Sequence, residues 1–397
     1  MSTGAAGPLA GYRIVDLTSF VSGPIATMML GDQGADVIKV EPPGGGDLTR
    51  GIGSTRGGIT PLFATSNRNK RSVALDLKRP GGPAVLARLA AGADVFVQNF
   101  RPGVAERLGV GEEPIRRAEP RIVYVSINGF GDSGPYASKR AYDPVIQALS
   151  GLASIQGDRV TGRPRMVRTI VPDKLTAVTA AQAITAALLA RERSGEGQHV
   201  RLSMLDAMIS FLWPEGMARY TFARTERAPR SPQVRDLVFE TSDGYITAGA
   251  VSDAEWAGMA RAADHPEWIE DPRFATPAAR IAHWDERLEL MAEAFPSRSS
   301  AEWLRRLDDE QVPCAPISSR EDLLTDPQVA ANALIVESEH PHAGPIRQTR
   351  PAARFDRTPA AIRRHAPALG EHTDEVLAQA GFPPAEIAEL RSTGVIG

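Results

Sequence analysis

Arg13 to Val40 reads RIVDLTSFVSGPIATMMLGDQGADVIKV, and this stretch decides the fold. Arg13 to Leu17 (RIVDL) carries the β-branched and aliphatic run of a buried strand. Pro24 to Gln33 follows as a helix with proline at an early position, where a missing N–H costs nothing. Ala35 to Val40 (ADVIKV) returns as a second strand. Strand, helix and strand in this order make one βαβ unit, the building block of a parallel sheet.

The pattern recurs downstream. Pro83 to Ala91 reads as a helix, Ala93 to Gln98 (ADVFVQ) as a strand, and Arg121 to Ile127 (RIVYVSI) as another strand. The expected class is therefore α/β, with a parallel sheet covered by helices on both faces. Such a sheet takes its ligands at the carboxyl ends of its strands. An Ala-rich segment from Lys174 to Glu192 has strong helix propensity and stops at Ser194-Gly195-Glu196-Gly197; Gln198 to Leu205 resumes as a strand or helix start. Residues 220 to 235 are charged and broken by proline, which marks a linker or an exposed loop. Phe239 to Ala250 is a hairpin pattern around Ser242-Asp243-Gly244, followed by helical patterns at Ala254 to Ala263, Ile281 to Ala294 and Ser300 to Asp309. The expected domains are 1–219, a small α+β domain over 220–335, and a tail over 336–397 in which Thr373 would cap a helix from Asp374 to Ala380.

Composition bounds the function. The 397 residues are 42% hydrophobic and 23% charged, as in soluble globular proteins. Lys plus Arg total 45 against 48 Asp plus Glu, a net charge of -3, so no overall basic field recruits nucleic acid or an anionic membrane. A single cysteine, Cys314, and a start without a signal-peptide pattern point to the cytoplasm. The longest apolar stretches, such as Ala177 to Ala190, fall short of the roughly 18 residues a membrane span needs.

Few local motifs carry chemistry alone. The turn Thr18 to Pro24 lacks the triple-glycine fingerprint, which weighs against a nicotinamide dehydrogenase despite Glu41 at the end of the second strand. Gly44 to Gly46 and Gly51 to Gly58 lack the strand-and-helix context of a phosphate loop and read as surface loops. Basic residues gather at the expected strand ends: Arg68, Lys70 and Arg71; Lys78, Arg101 and Arg107; Lys139 and Arg140. Together they would neutralise the phosphates of a nucleotide-like ligand, with Asn99 and Phe100 offering an amide and a ring to its base. The seven histidines show no HExxH spacing, so no metal site is expected, and Cys314 in VPCAP reads as a small packed hydrophobe. Asp173, just before the Ala-rich helix, has two readings: an N-cap, or a carboxylate nucleophile kept ionised by the helix dipole at the sheet edge.

Six ordered blocks give a further signal: RIVDLTSFVSGPIATMMLGDQGADVIKVEPPGGGD, NRNKRSVALDLK, DVFVQNFRPGVAERLG, SINGFGDSGPYASKRAYDPVIQALSGL, DKLTAVTAAQAITAALLARERSGEGQHVRLSMLDA and PALGEHTDEVL. They span nearly the whole chain, which resembles the family III CoA-transferases, the CaiB/BaiF family that includes formyl-CoA transferase and the α-methylacyl-CoA racemases. The resemblance implies a Rossmann-like large domain completed by the C-terminal tail, a smaller inserted domain, and an interlocked homodimer of ring-shaped chains. It implies CoA and acyl-CoA as substrates, no tightly bound cofactor, and a small carboxylic acid as partner substrate. Asp173 falls on the family's catalytic aspartate, and CoA contacts carry over to Val21, Ser22, Leu75, Lys78, Asn99, Phe100, Arg107 and Arg140. The related racemases have a histidine and a glutamate where this chain has Tyr142 and Ser252, which favours transfer over racemisation. Departures from formyl-CoA transferase at Val21, Pro42 and Arg230 to Arg235 argue against oxalate and formyl groups; Arg230 and Arg235 read first as surface arginines, with a second carboxylate, as of a dicarboxylic acid, as their other reading. The apolar run Phe211 to Met217 reads as core or dimer packing.

Overall fold

The computed structural model describes residues 7–158, 160–223 and 236–397, so Arg230 and Arg235 lie outside the described residues. The chain divides into two compact units: the described parts of Met1–Gln156, Arg165–Thr221 and Ala333–Gly397, and those of Gly157–Pro164 and Phe222–Asn332.

The first unit is built on six parallel strands: β1 (Arg13–Asp16), β2 (Asp36–Glu41), β3 (Lys70–Ala74), β4 (Val95–Gln98), β5 (Val123–Asn128) and β6 (His199–Ser203). Their order is β3-β2-β1-β4-β5-β6. Strands β1, β2, β4 and β5 are rich in apolar residues because both faces are covered. One face packs Val15, Phe96 and Tyr124 against Leu86, Leu89 and the tail residues Val376, Leu377 and Ile396. The other packs Ile14, Val37, Val95 and Val125 under helices α1 (Ser22–Asp32) and α3 (Val171–Ser194). Ala26 of α1 and Ala177, Ala180 and Ala181 of α3 are buried there, and side chains this small let the two helices pack closely. Between them in sequence lies α2 (Asp143–Leu149), and α4 (Met204–Gly216) follows β6.

The βαβ reading of Arg13 to Val40 stands, while NRNKR is a different case. Lys70 and Arg71 are not loop residues; they open β3, a strand whose polar start hides its pattern. The tail closes against this strand: His372 N–H donates to Ser72 O at 2.9 Å, and Leu75 forms an isolated bridge with Ile396. Thr373 is the first residue of its helix rather than the cap. Its hydroxyl accepts from Ala74 N–H at 3.1 Å, which ties the tail to β3.

The second unit holds the expected hairpin, Phe239–Glu240 against Tyr245–Ala248, extended by Cys314–Pro316 into a three-stranded antiparallel sheet. Trp256, Phe274, Phe295 and Trp303 fill its core. The single helix expected over Ile281 to Ala294 is two, Pro277–Ala282 and Trp284–Ala294, broken at His283. No helix among the described residues is long and apolar enough to cross a membrane.

Candidate active site

Strand order puts β1 beside β4 although their loops lie 80 residues apart in sequence. Connections leave in opposite directions at this point, and a crevice opens beyond the strand ends. A cleft of about 220 Å³ lies there, lined from the loops after β1, β4, β5 and β6 by residues including Phe20, Ser22, Asn99, Phe100, Gly129 and Asp173.

The β1 loop is held from beneath by buried ions. Asp16 accepts from Thr18 N–H at 2.9 Å, Thr27 Oγ1 at 2.7 Å and Lys70 Nζ at 2.8 Å. Burial alone would raise the Asp16 carboxyl, but the Lys70 and Lys39 ammonium groups prevail and hold it down at about 2. Lys39 Nζ reaches Thr18 O and Asp47, each at 2.9 Å. Asp47 in turn accepts from Phe20 N–H at 3.2 Å. Phe20 adopts φ +75°, a conformation non-glycine residues rarely take, and this clamp keeps it there. At Gly23 a Cβ would sit 2.3 Å from Thr18 Cβ, so only glycine lets α1 begin this close to the turn.

Asp173 is the third residue of α3, not its N-cap; Ile170 holds that position. The helix begins three residues earlier than its Ala-rich run because Pro172 is tolerated in the first turn. The position matters because Asp173 starts the stripe of buried residues that continues through Thr176, Ala177, Ala180 and Ile184. The side chain therefore faces the α1 side at the cleft floor, only 8% exposed. Burial raises its carboxyl to about 6, and the neighbouring Asp143 carboxylate adds to the rise. The Ser22 hydroxyl and N–H oppose it in part. Two effects compete here, helix N-termini favouring the anion and desolvation disfavouring it, and desolvation wins.

Asp143 has no place in the sequence reading beyond its neighbour Tyr142. It opens α2, is 3% exposed, and accepts from Asp173 N–H at 3.2 Å and Gln147 Nε2 at 2.7 Å. Gln147 also accepts from Val167 N–H at 2.9 Å, fixing the segment that leads into α3. The Asp-Pro pair opening a helix was the available signal.

The structure gathers Asp173, Ser22, Asn99 and Phe100 around one cleft. Asn99 and Ser19 exchange two hydrogen bonds across the β1–β4 junction, 2.7 and 3.0 Å. The other carried-over residues do not line this cleft. Val21 and Leu75 are buried, and Lys78, Arg107 and Arg140 are exposed on surrounding loops or helix ends. The basic residues that line the cleft are Arg101 and Lys139. The NRNKR cations do not face a ligand: Arg68 pairs with Asp32 at 2.7 Å, Lys70 with Asp16, and Arg71 with Asp36 at 2.6 Å. These are structural pairs, because a buried cation needs a carboxylate partner. Cys314 is no competing nucleophile, since burial and Asp308 push its thiol up to about 11.

Comparison with known proteins identifies the family. The model of CoA-transferase family III matches residues 9–373. Human succinyl-CoA:glutarate CoA-transferase is 35% identical over 395 residues, covering 98% of this chain and 90% of the relative. Formyl-CoA:oxalate CoA-transferase of Rhodopseudomonas palustris is 32% identical over 415 residues, with 98% and 97% covered. Among solved structures, a CaiB/BaiF family protein from Brucella suis superimposes with TM-score 0.81 at 30% identity, covering 94% of this chain and all of that one. A Mycobacterium tuberculosis protein gives TM-score 0.82 at 30% identity, with 93% and 99% covered. A match this long, at this identity, assigns the whole architecture rather than a shared sheet: the chain belongs to CoA-transferase family III.

Proposed function

We propose that this CoA-transferase moves CoA between an acyl-CoA thioester and a free carboxylic acid, with Asp173 as the covalent nucleophile. The observation that carries the reading is the Asp173 carboxyl, buried at the floor of the switch-point cleft and raised to about 6. At pH 7 such a group is still mostly ionised, yet it is more basic than a free carboxylate and so a better nucleophile. A carboxylate oxygen of Asp173 attacks the thioester carbonyl; the C–S bond breaks, CoA leaves as thiolate, and an aspartyl-acyl anhydride forms. The acceptor carboxylate attacks the aspartyl carbonyl, releases the donor acid and leaves a second anhydride. The thiolate then attacks the acceptor-side carbonyl, which frees Asp173 and yields the new thioester. Atoms and charge balance at each step.

Ser22 orients the carboxylate, and Asn99, Phe100, Arg101 and Lys139 are placed to hold CoA along the loops after β4 and β5. Lys78, Arg107 and Arg140, exposed on the surrounding loops or helix ends, complete the CoA contacts, whereas Val21 and Leu75 are buried. The relatives' names favour short dicarboxylic acids as donor and acceptor. Racemisation lacks its proton carriers: Ser252 is occupied as the N-cap of Asp253–Ala262 in a capping box with Glu255, and Tyr142 presents only a phenol. The working form is a cytoplasmic homodimer. Phe211 and Trp213 of α4, 60% and 43% exposed, are the apolar surface that a second copy would cover.

The test is mass spectrometry of the purified protein mixed with a panel of acyl-CoA thioesters and quenched with hydroxylamine. Hydroxamate confined to the peptide bearing Asp173 is the expected result. An unmodified Asp173 across the panel, with turnover intact, overturns the assignment.

A further inference from the structure

A chain of polar side chains runs across the sheet, away from Asp173, and ends on the CoA-side loop. It begins at Glu112, at the start of helix Glu112–Ala118. Glu112 Oε2 and His199 Nδ1 are 2.6 Å apart, and His199 Nε2 lies 2.8 Å from Ser126 Oγ. Ser126 Oγ accepts from Gln98 Nε2 at 3.0 Å, and Gln98 Oε1 accepts from Phe100 N–H at 2.8 Å. Strand register explains the path: Gln98 of β4 is opposite Ser126 of β5, whose neighbour Tyr124 is opposite His199 of β6.

The direction of the chain is fixed at its inner end. A backbone N–H can only donate, so the Gln98 oxygen faces Phe100 and its NH₂ faces Ser126. Ser126 Oγ–H then donates to His199 Nε2, and His199 Nδ1–H donates to the Glu112 carboxylate. A second branch leaves the same carboxylate. Arg201 reaches Glu112 at 3.4 Å and Asp132 at 3.3 Å, and Asp132 accepts from Asn128 Nδ2 at 2.8 Å. Phe100 and Asn128 both line the cleft, one after β4 and the other at the end of β5.

The Ser126, His199 and Glu112 spacing is that of a hydrolytic triad, but the Ser126 oxygen is already engaged by Gln98 and the residue is buried. A nucleophile needs an open lone pair toward its substrate. A relay does not, and every donor along this path meets an acceptor.

We propose that Glu112, His199, Ser126 and Gln98 are positioning residues that set the Phe100 loop for CoA, through a hydrogen-bonded relay anchored at the sheet margin. The proposal rests on the reading of this cleft as the CoA site. The loop's inner side is held by Asn99 and Ser19, and the relay holds the backbone one residue further on. Preorganising a loop in its binding conformation removes an ordering cost from the ligand.

The test is calorimetric titration of the full-length protein with CoA, with melting temperature followed in parallel. Wild type is titrated first, then His199→Phe, which keeps a ring against Tyr124, Gln98→Leu, which keeps the shape, and the double variant. Each single change should weaken CoA binding roughly three- to tenfold, the range of one hydrogen bond. The double variant should weaken it no further than the worse single, because both break one path. The KM for acyl-CoA should rise more than kcat falls. Glu112→Gln, at the margin and outside the core, should weaken binding about threefold even if the buried variants fold poorly. Additive losses, or CoA affinity unchanged in Glu112→Gln and in either folded single variant, overturn the relay alone. A wild-type chain that binds no CoA overturns the relay and the functional reading together.

Discussion

Asp173 carries an electrostatic burden that the proposed role as nucleophile would explain. Its carboxyl stands at about 6 in the folded chain against 3.8 when free, so folding favours the protonated form. The burden is absent below pH 3.8 and fully present above pH 6. Asp173→Asn should therefore abolish acyl exchange and also raise stability above pH 6 by up to about 3 kcal/mol, fading toward pH 4. Thermal melts from pH 4 to 8 measure this, and an equal shift at both ends would contradict it. In the wild type, kcat/KM should fall on the acid side with a midpoint near 6, since only the ionised carboxylate attacks. Asp143→Asn should move that midpoint down, because it removes the second cause of the rise while its amide oxygen still accepts from Asp173 N–H. A midpoint unmoved in Asp143→Asn would assign the whole shift to burial. In the sequence the nucleophile reading of Asp173 rests on resemblance alone, since its local surroundings favour a cap. Asp143 was not legible, because its partner is 30 residues away and their meeting depends on how α2 docks beside α3.

At the scale of the element, the least legible piece was β3. Alternation and apolar runs mark strands in sequence, and a strand opening Lys70-Arg71-Ser72 shows neither. Its cations are buried because carboxylates wait for them on neighbouring elements: Asp16 on β1 and Asp36 on β2. Lys70 donates to Asp16, Pro24 O and Asn67 Oδ1 at 2.8 to 2.9 Å, so all three of its protons are used. Lys70→Met should cost about 3–5 kcal/mol, since Asp16 would then be a buried anion without its cation. Adding Asp16→Asn should restore part of the loss by removing that stranded charge. Urea midpoints of the single and double variants decide it, and a neutral Lys70→Met would mean that Lys39 alone compensates Asp16. By contrast β1, β2, β4 and β5 were readable because each is buried on both faces and spells its environment in Val, Ile and Phe. The helix break at His283 was not legible, because the sequence offers no glycine or proline there to mark it.

At the scale of the molecule, four of the six parallel strands are readable in the sequence and a fifth is offered as a strand or helix start, but their order is not readable, because no local signal says that β4 returns to β1 rather than to β3. That order creates the cleft, so the site is a property of topology before it is one of residues. The same scale governs the proposed dimer. Phe211 and Trp213 lie on α4, a helix whose inner residues Met204, Met208 and Leu212 pack with Ile146 and Leu152 near α2. Beside the exposed Asp206, Ser210 and Glu215, α4 also presents the bulky apolar Phe211 and Trp213 to solvent, a pair that a covering surface would bury. The expected solution mass is twice the 42.5 kDa of the chain. Phe211→Glu with Trp213→Glu should shift sedimentation to the monomer mass or weaken association measurably, while circular dichroism stays that of a folded chain. Wild type sedimenting as a monomer would remove the dimer from the proposal. A dimer untouched by both changes would place the interface elsewhere and leave this apolar face without a partner. If the dimer is lost and acyl exchange falls with it, the active form needs both copies; if exchange persists in the monomer, the residues around Asp173 suffice on their own.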